Sequence, residues 1–222
     1  MRLRKKRNLD VRMERCSHLL IPNPAKLRGQ WLDVFCFKDL HVELGCGKGR
    51  FTAETAKAEP NIFIAALERL DGAIITALER ANGENLRNIR YINSLADNLA
   101  DYFAEGEVSR IYINFCDPWP ARRHEKRRLT SRRFLEIYKE VLCPGGQVHF
   151  KTDNQTLFDF SLREFEVCGF EPLEITRNLH KSGPVGVMTD YELKFHRRGL
   201  PIFRVCQKKV SGKQILEAPV NE

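Results

Sequence analysis

From position 41 onward, short apolar runs alternate with longer stretches of helical spacing. Apolar runs at 41–44, 62–67, 89–92, 110–115 and 147–151 predict five strands. Between them, helices are expected over about 50–58, 71–82, 95–104, 130–143 and 154–168. Thr130-Ser131 is expected to cap the fourth helix, and Pro144-Gly145-Gly146 to stop it. Two further strands, near 170–176 and 201–206, have no helical pattern between them and should pair antiparallel at one edge. The pattern predicts a mostly parallel, seven-stranded α/β sheet with helices on both faces. Ligands of such open sheets sit at the carboxyl ends of the strands, so the last residues of each strand are read for chemistry.

A chain of 222 residues is the length of one domain with a sizeable core. The expected division is a basic arm and cover segment at 1–40, the α/β domain at 41–208 and a tail at 209–222. The arm carries Arg2, Arg4, Lys5, Lys6 and Arg7, which suit either a solvated tail or phosphate contact. After the breaks at Pro22 and Pro24, Trp31, Phe35 and Phe37 are expected as core or cover for the first strand. A net charge of +8 favours an anionic partner such as nucleic acid. The seven cysteines are odd in number and scattered, with no C-x-x-C pair and no zinc spacing. Reduced thiols, no metal and a cytoplasmic setting follow as expectations. The longest N-terminal apolar run, Leu19-Leu20-Ile21, is too short for a signal-peptide core or a membrane span. No segment signals an interface, so monomer and homodimer both stay open.

The first strand leads into Val42-Glu43-Leu44-Gly45-Cys46-Gly47-Lys48-Gly49. This strand–turn–helix pattern, E-x-G-x-G-x-G, differs from the dinucleotide fingerprint G-x-G-x-x-G and from the phosphate loop G-x-x-x-x-G-K-[ST]. Glycines here admit positive φ and close approach of a ligand; a tight connection with no ligand would look the same. The second strand ends in Glu68, a carboxylate placed to accept the two ribose hydroxyls of a nucleoside, or simply an exposed acid opening a loop. Asn93 and Asp97, after the third strand, are candidates for an adenine contact or for helix caps.

The fourth strand carries the most specific signal. It runs through Asn114 and Phe115 into Cys116-Asp117-Pro118-Trp119-Pro120, followed by Arg122, Arg123, His124, Glu125, Lys126, Arg127 and Arg128. Five cations in seven residues are not needed for a turn to fold, whereas phosphate binding explains them. Trp119 either stacks on a base or fills the core. Asp153, after the fifth strand, either binds substrate or caps the next helix. Thr189-Asp190-Tyr191-Glu192 lies in the long loop between the last two strands, and loops of that length are usually functional or disordered.

Taken with Asn23-Pro24-Ala25 and Lys151-Thr152-Asp153-Asn154, these stretches resemble the bacterial tRNA (guanine-N7-)-methyltransferases of TrmB type over residues 1 to about 208. The resemblance implies a Rossmann-like class I methyltransferase fold that uses S-adenosylmethionine on a guanine of the tRNA variable loop. It implies that Glu43, Gly45, Gly47, Glu68, Leu95 and Asp117 hold the cofactor, and that Asp117 is also catalytic. Arg123, His124, Glu125, Lys126, Arg127 and Arg128 would contact RNA. Ala121, Asp153, Thr189, Asp190, Tyr191 and Glu192 would hold the guanine. Two positions depart from the family pattern. Leu95 replaces an acid or amide, leaving its contact to backbone or to Asp97; Ala121 replaces a lysine, a role Arg122 could take.

Guanine N7 presents a lone pair and no proton, so the transfer needs positioning and charge stabilisation rather than a base. Two other readings fit parts of the sequence. One is methylation of an exocyclic amine on a nucleic-acid base, for which Asp117-Pro118-Trp119-Pro120 has its aromatic and second proline interchanged. The other is a non-catalytic RNA-binding relic of the fold.

Overall fold

The computed structural model describes residues 6–210; Arg2, Arg4 and Lys5 of the basic arm and the tail from residue 211 lie outside the described residues. Among the described residues the chain runs α1 (Leu9–Arg15), α2 (Trp31–Phe35), β1 (Leu40–Leu44), α3 (Arg50–Ala58), β2 (Phe63–Leu67), α4 (Asp71–Gly83), β3 (Ile89–Ile92), α5 (Leu99–Tyr102), β4 (Val108–Asn114), α6 (Arg132–Val141), β5 (Leu142–Thr152), α7 (Gln155–Val167), β6 (Phe170–Thr176), α8 (Asp190–His196) and β7 (Phe203–Lys209). The strands form one sheet in the order β3-β2-β1-β4-β5-β7-β6. β1 to β5 pair parallel, and β7 enters antiparallel between β5 and the outermost strand, β6.

Alternation along the strands divides the core between the two faces. Leu40, Val42 and Leu44 of β1 and Phe63, Ala65 and Leu67 of β2 join Trp31, Leu135, Tyr138 and Phe158 on one face. Ile64, Ala66 and Tyr91 join Ala56, Ile74, Ala77 and Leu78 on the other. The N-terminal cover is built as its apolar residues predict: Trp31 is fully buried, and Phe35 stacks on Phe63 with ring centroids 4.4 Å apart. α1 is tied to α4 by a two-pronged bond from Arg12 to Glu79, 2.6 Å at each contact.

Four local expectations change. The helix expected over 95–104 shrinks to a short 3₁₀ turn and the four residues of α5. The Trp31 indole claims the Tyr102 carbonyl at 2.9 Å and Glu107 claims the Ala104 N–H at 2.8 Å, which ends the helix. The Thr130-Ser131 side chains do not cap α6. Thr130 shares a hydrogen bond with Ser161 at 2.7 Å, Ser131 donates to the Lys126 carbonyl, and Glu164 of α7 accepts the Arg132 N–H at 2.7 Å in their place. α6 ends at Val141, before Pro144-Gly145-Gly146, and those three residues lie in the leading end of β5. Finally, the loop between β6 and β7 contains α8, which opens with a complete capping box between Thr189 and Glu192.

Candidate active site

The turn after β1 is fixed from two sides. Gly45 and Cys46 both donate to the Leu67 carbonyl, at 2.9 and 3.0 Å, tying the turn to the end of β2. Gly47 donates to Glu68 Oε2 at 3.0 Å, and Leu70 N–H donates to Glu68 Oε1 at 2.9 Å. Gly45 and Gly47 have φ of +73° and +58°, and a Cβ at either would meet nothing within 4 Å, so the turn presents bare backbone to open space. Glu68 is nearly buried and held by two N–H donors; a carboxylate has about four lone-pair sites, so about two remain.

Glu43 lies behind this turn. One oxygen accepts from the Thr52 hydroxyl of α3, and the other from the Asn114 amide of β4 at 3.2 Å. Burial pushes its carboxyl up to about 7, against those two bonds and the charge of Lys151.

Two adjoining cavities open over the strand ends. The larger, about 470 Å³, falls within the range of small-molecule sites of about 300–1,000 Å³. Glu68, Leu95, Asp97, Asp117, Trp119 and Arg127 are among its walls. The smaller, about 300 Å³, is lined by Glu43, Lys48, Arg50, Asp190, Tyr191 and Lys194, among others. Gly45, Asn114 and Phe115 belong to both.

Six residues expected at a cofactor, namely Glu43, Gly45, Gly47, Glu68, Leu95 and Asp117, surround these cavities. Leu95 is half exposed on the larger cavity; Asp97 lines it too and is paired with Arg133. Asn93 instead donates to Asp71 at 2.7 Å, at the start of α4. Asp117 is exposed in the loop after β4, where Phe115 and Trp119 take positive φ of 54° and 43°, a costly backbone shape for aromatic residues. The neighbouring Cys116 thiol is pushed up to about 12, first by burial and then by Asp117, so it is protonated and no thiolate nucleophile stands there.

The basic segment folds as a 3₁₀ turn, Arg122–Arg127. Arg123, Lys126 and Arg127 are exposed, and Arg127 lies over the Trp119 ring at 5.0 Å. Edge-on to the same ring is His124, at 5.6 Å, so Trp119 is already flanked by protein. Arg128 points the other way. It is buried, donates to the Pro118 and Trp119 carbonyls at 3.0 and 3.1 Å, and stacks over Phe160 at 4.3 Å. Glu125 lies 3.7 Å from it.

The residues expected at the guanine divide in the same manner. Tyr191 is exposed, reaches Asp153 Oδ2 at 3.4 Å, stacks on Phe195 at 4.6 Å and tilts against Phe115 at 5.0 Å. Asp153 does not cap α7, since Asn154 accepts the Leu157 N–H at 2.8 Å. Asp190 sits between Arg80 and Arg50, at 3.5 and 3.9 Å. Ala121 lines neither cavity. Glu192 has no exposure: it accepts from Lys151 at 2.8 Å, from His180 at 2.9 Å and from the Thr189 N–H at 3.2 Å.

Sequence reasoning passed over Arg50, Lys194 and Arg133 as cavity walls and His180 as a buried partner. Thr52 was the findable one, a hydroxyl one helical turn beyond the glycines. The described residues contain no group of three or more metal-ligating side chains, and no helix long and apolar enough to cross a membrane.

A family model described as "Putative methyltransferase" matches residues 38–205. The chain is 44% identical to the tRNA (guanine-N(7)-)-methyltransferase of Geobacillus sp. (strain WCH70), over 96% of this chain and 97% of the relative. Among solved structures it is similar in fold to a SAM-dependent methyltransferase from Aquifex aeolicus, with TM-score 0.54 and 16% identity over 89% of this chain and 98% of the other. It is similar also to the 16S rRNA methyltransferase KamB, with TM-score 0.62 and 14% identity over 84% and 92% of the two chains. Sheet order, glycine turn and family model together define a class I methyltransferase. Within that class, the chain belongs to the tRNA (guanine-N7-)-methyltransferase family.

Proposed function

We propose that this enzyme methylates N7 of guanine in tRNA, at position 46 of the variable loop, with S-adenosylmethionine as donor. The observation that carries the reading is the pair of adjoining cavities, flanked by an exposed basic turn, in a chain near-colinear with a tRNA methyltransferase. When bound, the donor supplies an electrophilic methyl on a sulfonium. The chain's own residues suit it: Glu68 keeps lone pairs for ribose hydroxyls, the bare Gly45–Gly47 backbone admits close approach, and Asp97 offers a carboxylate beside Leu95.

Guanine N7 needs no deprotonation, so no base is required of the site. Phe115 and Tyr191 offer aromatic walls to a purine, and Asp153 beside Tyr191 offers an acceptor to its N1–H and N2–H₂ edge. Asp117 stands where a carboxylate can offset the positive charge that develops on the base. Arg123, Lys126 and Arg127 take phosphates; Arg128 and Glu192 belong to the scaffold of this reading, because their bonds are already made inside the protein. Cysteines without disulfide partners and a tRNA substrate favour a cytoplasmic setting for this reading. Incubation with labelled donor and unmodified tRNA, followed by nucleoside mass spectrometry, should yield N7-methylguanosine; label on an exocyclic amine, or no label, would defeat the proposal.

A further inference from the structure

We infer that Arg50 receives the α-carboxylate of the methyl donor's amino-acid end, giving up its long contact to Asp190; this rests on the donor reading above. Arg50 opens α3 directly after the glycine turn and lines the smaller cavity. Its Nε is buried and has no hydrogen-bond partner among the described residues. Among the described residues the one carboxylate within ion-pair distance of it, Asp190, is 3.9 Å away, beyond hydrogen-bond reach, and Glu54, one helical turn along α3, acts on it only through its charge. Asp190 has a second cation, Arg80, at 3.5 Å, so it is not stranded when Arg50 turns to another anion. A guanidinium whose five donors make no bond of normal length among the described residues keeps its fork for an anion in the cavity it lines.

The shape of the site says which anion. The cavities share Gly45, Asn114 and Phe115, so a ligand with its nucleoside by Glu68 extends its other end into the smaller cavity. That end of the donor is a zwitterion, and it needs a carboxylate and a cation in one cavity. Glu43 is the buried carboxylate. Lys48 and Lys194 are exposed, strongly hydrated point charges. Arg50 is only 36% exposed and presents a planar fork that matches a carboxylate in two bonds. Occupation of Arg50 also leaves Asp190, the first residue of α8, to Arg80 alone, which links the donor to the helix that carries Tyr191.

The test is titration calorimetry on the full chain with S-adenosylhomocysteine and with its decarboxylated analogue. The wild-type chain should prefer the carboxylate-bearing ligand by about ten- to hundredfold, the range of a charge-assisted pair. In Arg50→Met the two ligands should bind within about threefold of each other; Arg50→Gln gives the same comparison should the Met variant fail to fold. A wild-type preference that survives in either folded variant overturns the assignment and moves the carboxylate to Lys48 or Lys194. Equal binding of both ligands by the wild type overturns it as well. Failure of the wild-type chain to bind S-adenosylhomocysteine at all overturns the donor reading together with the inference.

Discussion

Lys151 Nζ, at the end of β5, lies 2.8 Å from Glu192 of α8, a carboxylate with no exposure to solvent. Lys151 also donates to the Val187 carbonyl at 3.0 Å and lies 5.1 Å from the centre of the Phe51 ring. This cross-brace fixes the segment that carries Tyr191 against the sheet. Removing one partner of a buried pair costs about 3–5 kcal/mol, whereas replacing both with apolar groups is often neutral. Glu192→Gln should therefore lower the denaturant midpoint steeply, and Lys151→Met/Glu192→Leu should regain part of the loss, the remainder staying with His180 and the Thr189 N–H, which also lose their acceptor. The double variant should regain methylation too; a stable but inactive double variant would return Glu192 to the guanine.

Stability should depend on pH through Glu43. Burial lifts its folded carboxyl from 4.5 to about 7, so between those values the native state holds a proton that the unfolded chain releases. Its contribution is complete below pH 4.5 and is lost as pH rises through about 7. At pH 8 the penalty is on the order of 3 kcal/mol. Glu43→Gln should match the wild type in urea melts near pH 5 and exceed it at pH 8; parallel pH profiles would contradict this account.

Arg127 and Arg128 are neighbours in sequence with opposite expected phenotypes. Arg127→Glu should weaken tRNA binding and reduce the salt slope by roughly one, with an unchanged melting temperature. Arg128→Ala should cost about 2 kcal/mol in stability, because two partly buried carbonyls lose the charged donors of a buried guanidinium. Filter binding across a salt series, beside thermal melts, separates the two.

Asp117 is exposed, so Asp117→Ala should melt with the wild type. Its single-turnover methylation rate, with donor saturating, should fall about a hundredfold or more if its charge stabilises the methylated base. A near-normal rate would remove it from the mechanism. Cys116→Ser, one residue away, should keep its rate within about threefold, since the thiol is protonated.

The sheet was legible because strand period, glycine turn and terminal carboxylates are local signals. What escaped depends on partners distant in sequence. The Thr130 hydroxyl turns from its helix to Ser161, 31 positions away, and Glu164 reaches Arg132 from 32 positions away. α8 did announce itself, in the Thr189-x-x-Glu192 box, but its polar setting read as loop. The arginines of the run 122–128 look alike in sequence, and only the fold turns Arg128 inward while leaving Arg127 on Trp119. Arg50 was hidden for the same reason, since its role depends on α8 arriving beside it.

A Cβ at Gly49 would sit 2.5 Å from the Ala77 Cβ and 2.8 Å from its Cα. The two neighbouring helices therefore meet at their smallest permitted side chains, and neither residue can grow without prying α3 from α4. Since α3 begins at the cofactor turn, that pressure would reach Gly47 and through it Glu68. In a library randomised at both positions, survivors should be confined to the wild-type glycine with a small partner, a narrow gauge set by one van der Waals contact behind the turn.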